Sequence, residues 1–518
     1  MKNIHRMRYL LLVLVVFATS CSEDFLDRKP LDQIVSSNFY RTEQDAQQAL
    51  VAVYDALQYQ STPNVSWSPF LTISDILSDD CYAGGADAND GLDENEINQF
   101  KIPATNQIVQ SLWAKNYVGI YRANLLLEKI EDIEADQEFK DRVIAECKFL
   151  RAYFNFELVR FFENIPLLTA TIKGPSEYQQ FQNTPEEVYN QIATDLVESI
   201  DFLPTSLPVN QYGRVTKWAA EGLLGRVYLF YNGIYGKDLQ VNGATVGRQD
   251  VLSYLEDVIL NSEHELLPDY SMIFRLQSEF SSESVFEISH GDSPAWWDWN
   301  YVRGAEGNLG AQMQGPRVTG SDNWDRGWSF GTVSHSLFLD MENDPRLSST
   351  ILFEDELDGT LVKGYQHTGY YSKKYSSDAE HWGKDGQFEH NRTCNFRVLR
   401  YSDILLMAAE LESPNAQDYL DAVRGRVGLP SVPATKENIL KERRLEFALE
   451  GQRYFDLLRQ GLDVAEAALT QQGLRGPNYD GDQVVYDVTF DVNTKGFLPI
   501  PQTEIDLSNG AFIQNDGY

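Results

Sequence analysis

The chain has 518 residues, 42% hydrophobic and 12% aromatic, which suits one large domain or two closely merged ones around a well-packed interior. Its formal charge of −34 repels phosphate backbones and anionic lipid head groups, which excludes nucleic-acid binding and electrostatic docking on a membrane.

At the N-terminus, Lys2, Arg6 and Arg8 precede an apolar run from Tyr9 to Ala18 that stops at Thr19-Ser20-Cys21. A helix of that length covers only about 15 Å, half of a bilayer's hydrocarbon core. Residues 1–20 are therefore expected to be a secretory signal and not a span. Its three cations take the formal charge to −37 once it is removed. Cys21 sits where a bacterial lipoprotein carries its acylated cysteine, although Ala18 stands where that pattern usually has Leu. Ser22-Glu23-Asp24 resembles the acidic tag that sends Bacteroidota lipoproteins to the cell surface. The expectation is lipidation at Cys21, a tether over 21–41 and an outer-membrane location facing the exterior, held by the acyl chains. Only Cys81, Cys147 and Cys394 remain beyond it, too few for a disulfide framework. His390 and Cys394 have no second pair at metal-ligand spacing, so neither a metal nor a cofactor is expected.

From Thr42 the spacing turns helical, with Ala46, Leu50, Val53, Ala56 and Leu57 on one face. Thr42 reads as the N-cap, with Asp45 three residues on. An acidic, Gly-containing loop is expected around 79–96. Helices are expected over 108–130, 139–162, 185–202, 216–231 and 249–262, which makes 42–262 one helical part. Leu224-Gly225-Arg226-Val227-Tyr228 fits part of the tetratricopeptide signature, in which Gly lets two helices approach closely. Residues 263–395 lose the helical period and are rich in Gly, Ser, Asp, Tyr and Trp, so an irregular, loop-rich lobe is expected there. Helices return over 400–410, 416–427 and 436–460, and Pro499 and Pro501 forbid helix in the tail of this last part, 396–518.

Six blocks now stand in order. They are Ala145-Glu146-Cys147-Lys148-Phe149-Leu150-Arg151-Ala152-Tyr153-Phe154, Gly213-Arg214-Val215-Thr216-Lys217-Trp218, Arg400-Tyr401-Ser402-Asp403-Ile404-Leu405, Glu442-Arg443-Arg444-Leu445-Glu446-Phe447, Leu498-Pro499-Ile500-Pro501 and Gln514-Asn515-Asp516-Gly517-Tyr518. With the lipoprotein start, they resemble the RagB/SusD family of outer-membrane nutrient-binding lipoproteins from end to end. The sequence departs from the family at Asp516, where Pro is usual, at Ser329, where Gly is common, and in a short turn at Ser413-Pro414-Asn415. The resemblance implies an all-α, right-handed solenoid of tetratricopeptide-like helical hairpins with an irregular second lobe. It also implies a glycan-binding protein that captures oligosaccharide or polysaccharide and acts as a lid on a SusC-like TonB-dependent transporter. It implies no catalysis. The RagB side of the family implies the same lid role with peptide cargo.

Several residues compete for the site. The charged block Glu442–Asp456 can be taken for catalytic carboxylates, but Glu450, Arg453 and Asp456 are spaced to pair locally on one helix. A structural ion network is the reading these spacings favour, and Asp403 and Glu410 go with it. Gly327-Trp328-Ser329-Phe330-Gly331 matches the G-x-S-x-G elbow of a secreted esterase, but Ser321–Arg326 before it cannot form the buried strand that elbow needs. A glycosidase built on paired carboxylates is the other enzymatic alternative. Asp87-Ala88-Asn89-Asp90-Gly91 nearly matches a calcium loop, with Gly one position early, and reads as a solvated acidic loop.

The aromatic group carries the functional signal. Trp296, Trp297, Trp299 and Tyr301 fall within six residues, and Trp324 and Trp328 follow. Sugar rings stack on indole faces, while Asp298, Asn300 and Asn323 supply partners for hydroxyls. Trp328, in a recurring family block, is expected to be structural. Trp67 and Tyr82, beside the acidic loop, are second-rank candidates.

Overall fold

The structure is a computed structural model that describes residues 39–60, 69–292, 306–384, 389, 391–471 and 487–518. Its helices, in chain order, begin with α1 (Glu43–Asp55), α2 (Phe70–Ile76), α3 (Leu92–Asn98), α4 (Gln107–Lys129) and α5 (Gln137–Phe162). Then come α6 (Pro185–Ile200), α7 (Lys217–Tyr235), α8 (Arg248–Asn261), α9 (Leu309–Gln314), α10 (His335–Met341) and α11 (Leu347–Thr350). After the lobe follow α12 (Tyr401–Glu410), α13 (Ala416–Arg426), α14 (Lys436–Glu446), α15 (Arg453–Leu458), α16 (Leu462–Leu469) and α17 (Gln502–Leu507). The strands are short and paired: β1 (Leu239–Val241) with β2 (Ala244–Val246), β3 (Ser284–Ile288) with β8 (Phe396–Arg400), β4 (Val318–Thr319) with β6 (Thr360–Leu361), and β5 (Ile351–Phe353) with β7 (Tyr370–Ser372).

Consecutive helices from α4 to α8 pack on one another, and α8 continues onto α12, which packs on α13 and α14. This is the tetratricopeptide-like stack, interrupted by the lobe and resumed after it. Its helix starts are fixed locally. Thr42 and Asp45 form a reciprocal capping box at α1, and Thr184 and Glu187 form another at α6, where Pro185 opens the helix. Helix α5 is the axis of the core, buried almost continuously from Cys147 to Phe162. Burying each of its large apolar side chains contributes roughly 1.5–3 kcal/mol. Gly225 lets α7 and α8 close up, since a Cβ there would lie 2.7 Å from Leu255 Cδ2. The tail clamps the end of α5: Asn515 donates through Nδ2 to Phe162 O (2.7 Å) and to Leu498 O (2.8 Å).

Three local expectations need correction. The helix expected over 436–460 is two helices, broken where Leu449 and Gly451 take positive φ (61° and 73°). The Gly451 N–H freed by the break donates to Asp75 Oδ1 at 2.9 Å, and the turn swings Glu450 toward buried cations. The acidic stretch 79–96 is not all solvated loop, because Asp79 and Asp80 are buried and α3 starts at Leu92. The charged block is an ion network as expected, but the local pairs expected of Glu450 with Arg453 and of Arg453 with Asp456 do not form. Arg453 binds Asp79 (2.7 Å), Glu450 binds Lys374 (2.6 Å) and Arg400 (2.8 Å), and Asp456 binds Arg443 and Arg459. Asp403 holds Arg226 and Arg443, and Glu410 holds Arg459. Burial favours a raised Glu446 carboxyl, but Arg426, Arg400 and Arg346 outweigh it and hold it well below the usual carboxylate range.

Within the lobe, β3 and β8 run antiparallel and join its two ends at a neck, with a bulge between Ser284 and Glu287. Small satellite cores lie beside the main one: Val333, Leu337, Met341 and Ile351 of the lobe pack with Cys81, Leu445, Ala448 and Leu449 of the helical parts, and Trp324 packs with Leu352 and Tyr371.

Candidate functional site

The two loops that the sequence puts forward spring from one rim. Gln58, just past α1, donates through Nε2 to Ser289 O (2.6 Å), one residue beyond β3. Gln60 lies 3.2 Å from His290 Nε2, and its Oε1 accepts from Gly310 N (3.0 Å). Burial pushes His290 down to about 4, so its imidazole is neutral near pH 7. Its Nδ1–H then donates to Glu306 O (3.1 Å), which leaves Nε2 to accept from the Gln60 amide. Gly291 N donates to Glu306 O (3.0 Å), Asn308 Nδ2 to Cys394 O (3.0 Å) and Lys384 N to Asp292 Oδ2 (2.9 Å). Chain positions 60, 69, 292, 306 and 384 therefore converge. A cavity of about 40 Å³ lies beneath them, lined by Gln60, Pro69, Lys115, Glu157, His290 and Asn308. Burial pushes the Lys115 ammonium down to about 8.

Trp67, Trp296, Trp297, Asp298, Trp299, Asn300 and Tyr301 lie outside the described residues, as do Cys21 and His390; the rim holds the described positions that flank the first seven in sequence. The other candidates are placed as follows. Tyr82 is 7% exposed, and its N–H donates to Thr332 O (2.8 Å). Trp324 is 8% exposed and packs with Leu352 and Tyr371. Asn323 is exposed, and its amide donates to Asp358 Oδ2 at 3.3 Å. Neither buried ring offers a free face for a sugar. Trp328 is half-buried on Leu309, Met313 and Phe330. The residue that sequence reasoning missed is Trp382, half-exposed two residues from Lys384 on the rim. Its Nε1 donates to Ser377 O (3.0 Å) and the Arg392 guanidinium lies 5.9 Å from its ring. The signal was present: Trp382-Gly383-Lys384-Asp385-Gly386 repeats the Trp in Gly- and Asp-rich sequence that singled out the other group.

The competing sites have other geometry. Ser329 is 1% exposed, with φ of +59°, in a segment between Thr319 and Ser334 that holds neither a named strand nor a helix. Its Oγ accepts from Arg317 N (3.0 Å) and its carbonyl from Gly85 N (2.8 Å). That left-handed backbone is one that Gly adopts more readily than Ser. Asp90 in the acidic loop accepts from Ala86 N (2.7 Å) and pairs with Arg317 (2.9 Å). Among the described residues no group of His, Cys, Asp and Glu is arranged to hold a metal ion, and Cys81, Cys147 and Cys394 are buried thiols. No helix among them is long and apolar enough to cross a membrane.

Comparison with known proteins bears on the same chain. The SusD family model matches residues 295–518, and a model described as "Starch-binding associating with outer membrane" matches 24–229. SusD-like protein P2 of Formosa agariphila is 25% identical, over 98% of each chain. A solved laminarin binding SusD-like protein is 33% identical, with TM-score 0.80, over 92% of this chain and 100% of its own. Surface glycan-binding protein A from Bacteroides thetaiotaomicron, solved in complex with laminarihexaose, is 29% identical with TM-score 0.79, over 92% of this chain and 99% of its own. The two solved relatives are described as binding proteins. With one such relative 33% identical over 92% of this chain, and two models of the family matching its two parts, the chain belongs to the SusD family.

Proposed function

We propose that this chain is a cell-surface lipoprotein, anchored through Cys21, that captures laminarin-type oligosaccharides on the loops rooted at the Gln60–His290 rim. It then passes them, as a lid, to a SusC-like TonB-dependent transporter in the outer membrane. The observation that carries the cargo is the likeness, over nearly the whole chain, to a laminarin binding relative at 33% identity. The rim supports it physically, because it gathers the roots of two Trp-bearing loops beside the half-exposed Trp382. Several aromatic faces at one edge can stack successive sugar rings, while Asp and Asn between them bind hydroxyls.

Isothermal titration of the purified chain against laminarin, starch and a peptide mixture tests the cargo. Binding of laminarin alone is expected; binding of the peptides alone would move the cargo to the peptide side of the family. Co-purification with a SusC-like transporter from the native outer membrane tests the lid role, and absence of any such transporter from the membrane complex would sink that part.

A further inference from the structure

A second cleft of about 330 Å³ opens where the helical stack meets the lobe. One wall is the turn between α6 and α7, carrying Thr205, Ser206 and Tyr212; the other is Phe280–Glu287, including β3. The floor is apolar, formed by buried Trp218, Val285 and Phe286. At the mouth, the Tyr212 ring is 46% exposed and lies 5.5 Å from the Phe280 ring at 42°. Phe280 has φ of +55°, a costly backbone for a bulky residue, and is held there by its N–H donating to Glu287 Oε1 (3.0 Å). That strain sets the Phe280 ring against Tyr212. The hydroxyls of Thr205, Ser206, Ser281 and Ser284 have no hydrogen-bond partner among the described residues. The exposed Glu263 carboxylate completes the polar edge.

An apolar floor, an exposed aromatic face and a rim of uncommitted hydroxyls match a pyranose ring, which has C–H faces and hydroxyl edges. The charges point to a neutral sugar. Arg214 on the wall is already held by Glu146, at 2.9 and 2.5 Å, and burial lowers His264, so among the described residues that line the cleft no spare cation is left to receive a uronate or sulfate. The cleft also adjoins the rim. Gly213 beside Tyr212 packs against Ser289, the residue whose carbonyl Gln58 binds, so at most one strand length, roughly 17 Å, separates the two. We infer that this cleft is a second subsite, where Tyr212 and Phe280 bind a neutral pyranose of the same glycan chain that the rim loops hold. This rests on the glycan reading above and adds a second, distal contact to it.

The test is isothermal titration of the full chain with laminarin, for the wild type, Tyr212→Ala and Ser206→Trp, with circular dichroism melts of each. Tyr212 is exposed, so its loss leaves the fold intact, and the Ser206→Trp indole fills the cleft without removing any native contact. Both variants are expected to weaken laminarin binding roughly three- to tenfold, the usual scale for one aromatic contact. Wild-type affinity in both variants overturns this subsite and leaves the rim reading standing. No laminarin binding by the wild type overturns the laminarin reading and this subsite with it.

Discussion

Replacing Arg400 with Met is expected to loosen the junction between the lobe and the helical stack. The guanidinium is 2% exposed and binds Glu283 (2.7 Å), Glu446 (2.8 Å) and Glu450 (2.8 Å), with Ser402 Oγ at 2.7 Å. These partners come from the residue before β3, the end of α14 and the turn before α15, so one side chain ties four chain segments. Met keeps the apolar stem that packs near Phe447, but it leaves three buried carboxylates with one cation fewer. Breaking a buried ion cluster from one side costs about 3–5 kcal/mol. Urea unfolding followed by far-UV circular dichroism should show a lower midpoint at unchanged slope. Replacing Glu446 with Gln in the same chain restores the charge count, so the double variant should lose at least about 1 kcal/mol less than the two single losses combined. The pH dependence has a definite sign. Arg426, Arg400 and Arg346 hold the Glu446 carboxyl well below its unfolded value, near 4.3, so the stability it lends is complete above that pH and is lost as pH falls through the folded value, which loss of Arg400 raises. The deficit of the single variant should therefore persist from pH 7 to pH 5 and shrink below about pH 4. A loss below about 1 kcal/mol, strict additivity, or a deficit that ignores pH would each refute the argument.

Cys21→Ala is expected to abolish acylation and release the protein from the membrane fraction; unchanged fractionation would count against the anchor. Trp296→Ala, Trp297→Ala and Trp299→Ala should divide, with an exposed stacking ring costing about 1–2 kcal/mol of glycan binding, roughly 5- to 30-fold, and a packed one costing stability instead. Calorimetry and thermal melts on each variant separate the two. Burial raises the Asp75 carboxyl to about 8, so its contribution to stability is complete below about pH 4 and erodes as pH rises through 8. Asp75→Asn should flatten the fall in melting temperature between pH 5 and pH 9, and an equally steep fall would contradict it. Purified chain incubated with generic ester and glycoside substrates should show no turnover that Ser329→Ala removes.

The helical stack was legible because its signals are local. The Thr42 and Asp45 cap and the helical spacing of Phe149 and Phe156 are set within a few residues of themselves, and α4 and α5 lie within two residues of their expected bounds. The Asn242-Gly243 pair that turns β1 into β2 is an equally local hairpin signal that the helical reading passed over. What could not be read were partners far apart in sequence. Arg453 faces Asp79 rather than Glu450, and no spacing rule joins positions 374 residues apart. The same limit applies at the site. Trp324 and Trp382 share a composition, yet one fills a satellite core and the other stands half-exposed by the rim, a difference set by tertiary packing alone. The convergence of positions 60 and 292 rests on Gln58, Gln60 and His290, polar residues with no motif to mark them.

The pairing of β3 with β8 fixes more than local geometry. Because both ends of the lobe meet there, the chain between residues 289 and 395 begins and ends at one place on the scaffold. Lengthening a loop inside it costs little, about 0.6 kcal/mol for each doubling, since the ends are already held together. Loop length inside that stretch can then drift over generations, while Lys374, Arg346 and Arg317, which bind Glu450, Glu442 and Asp90 outside it, are the positions that must stay.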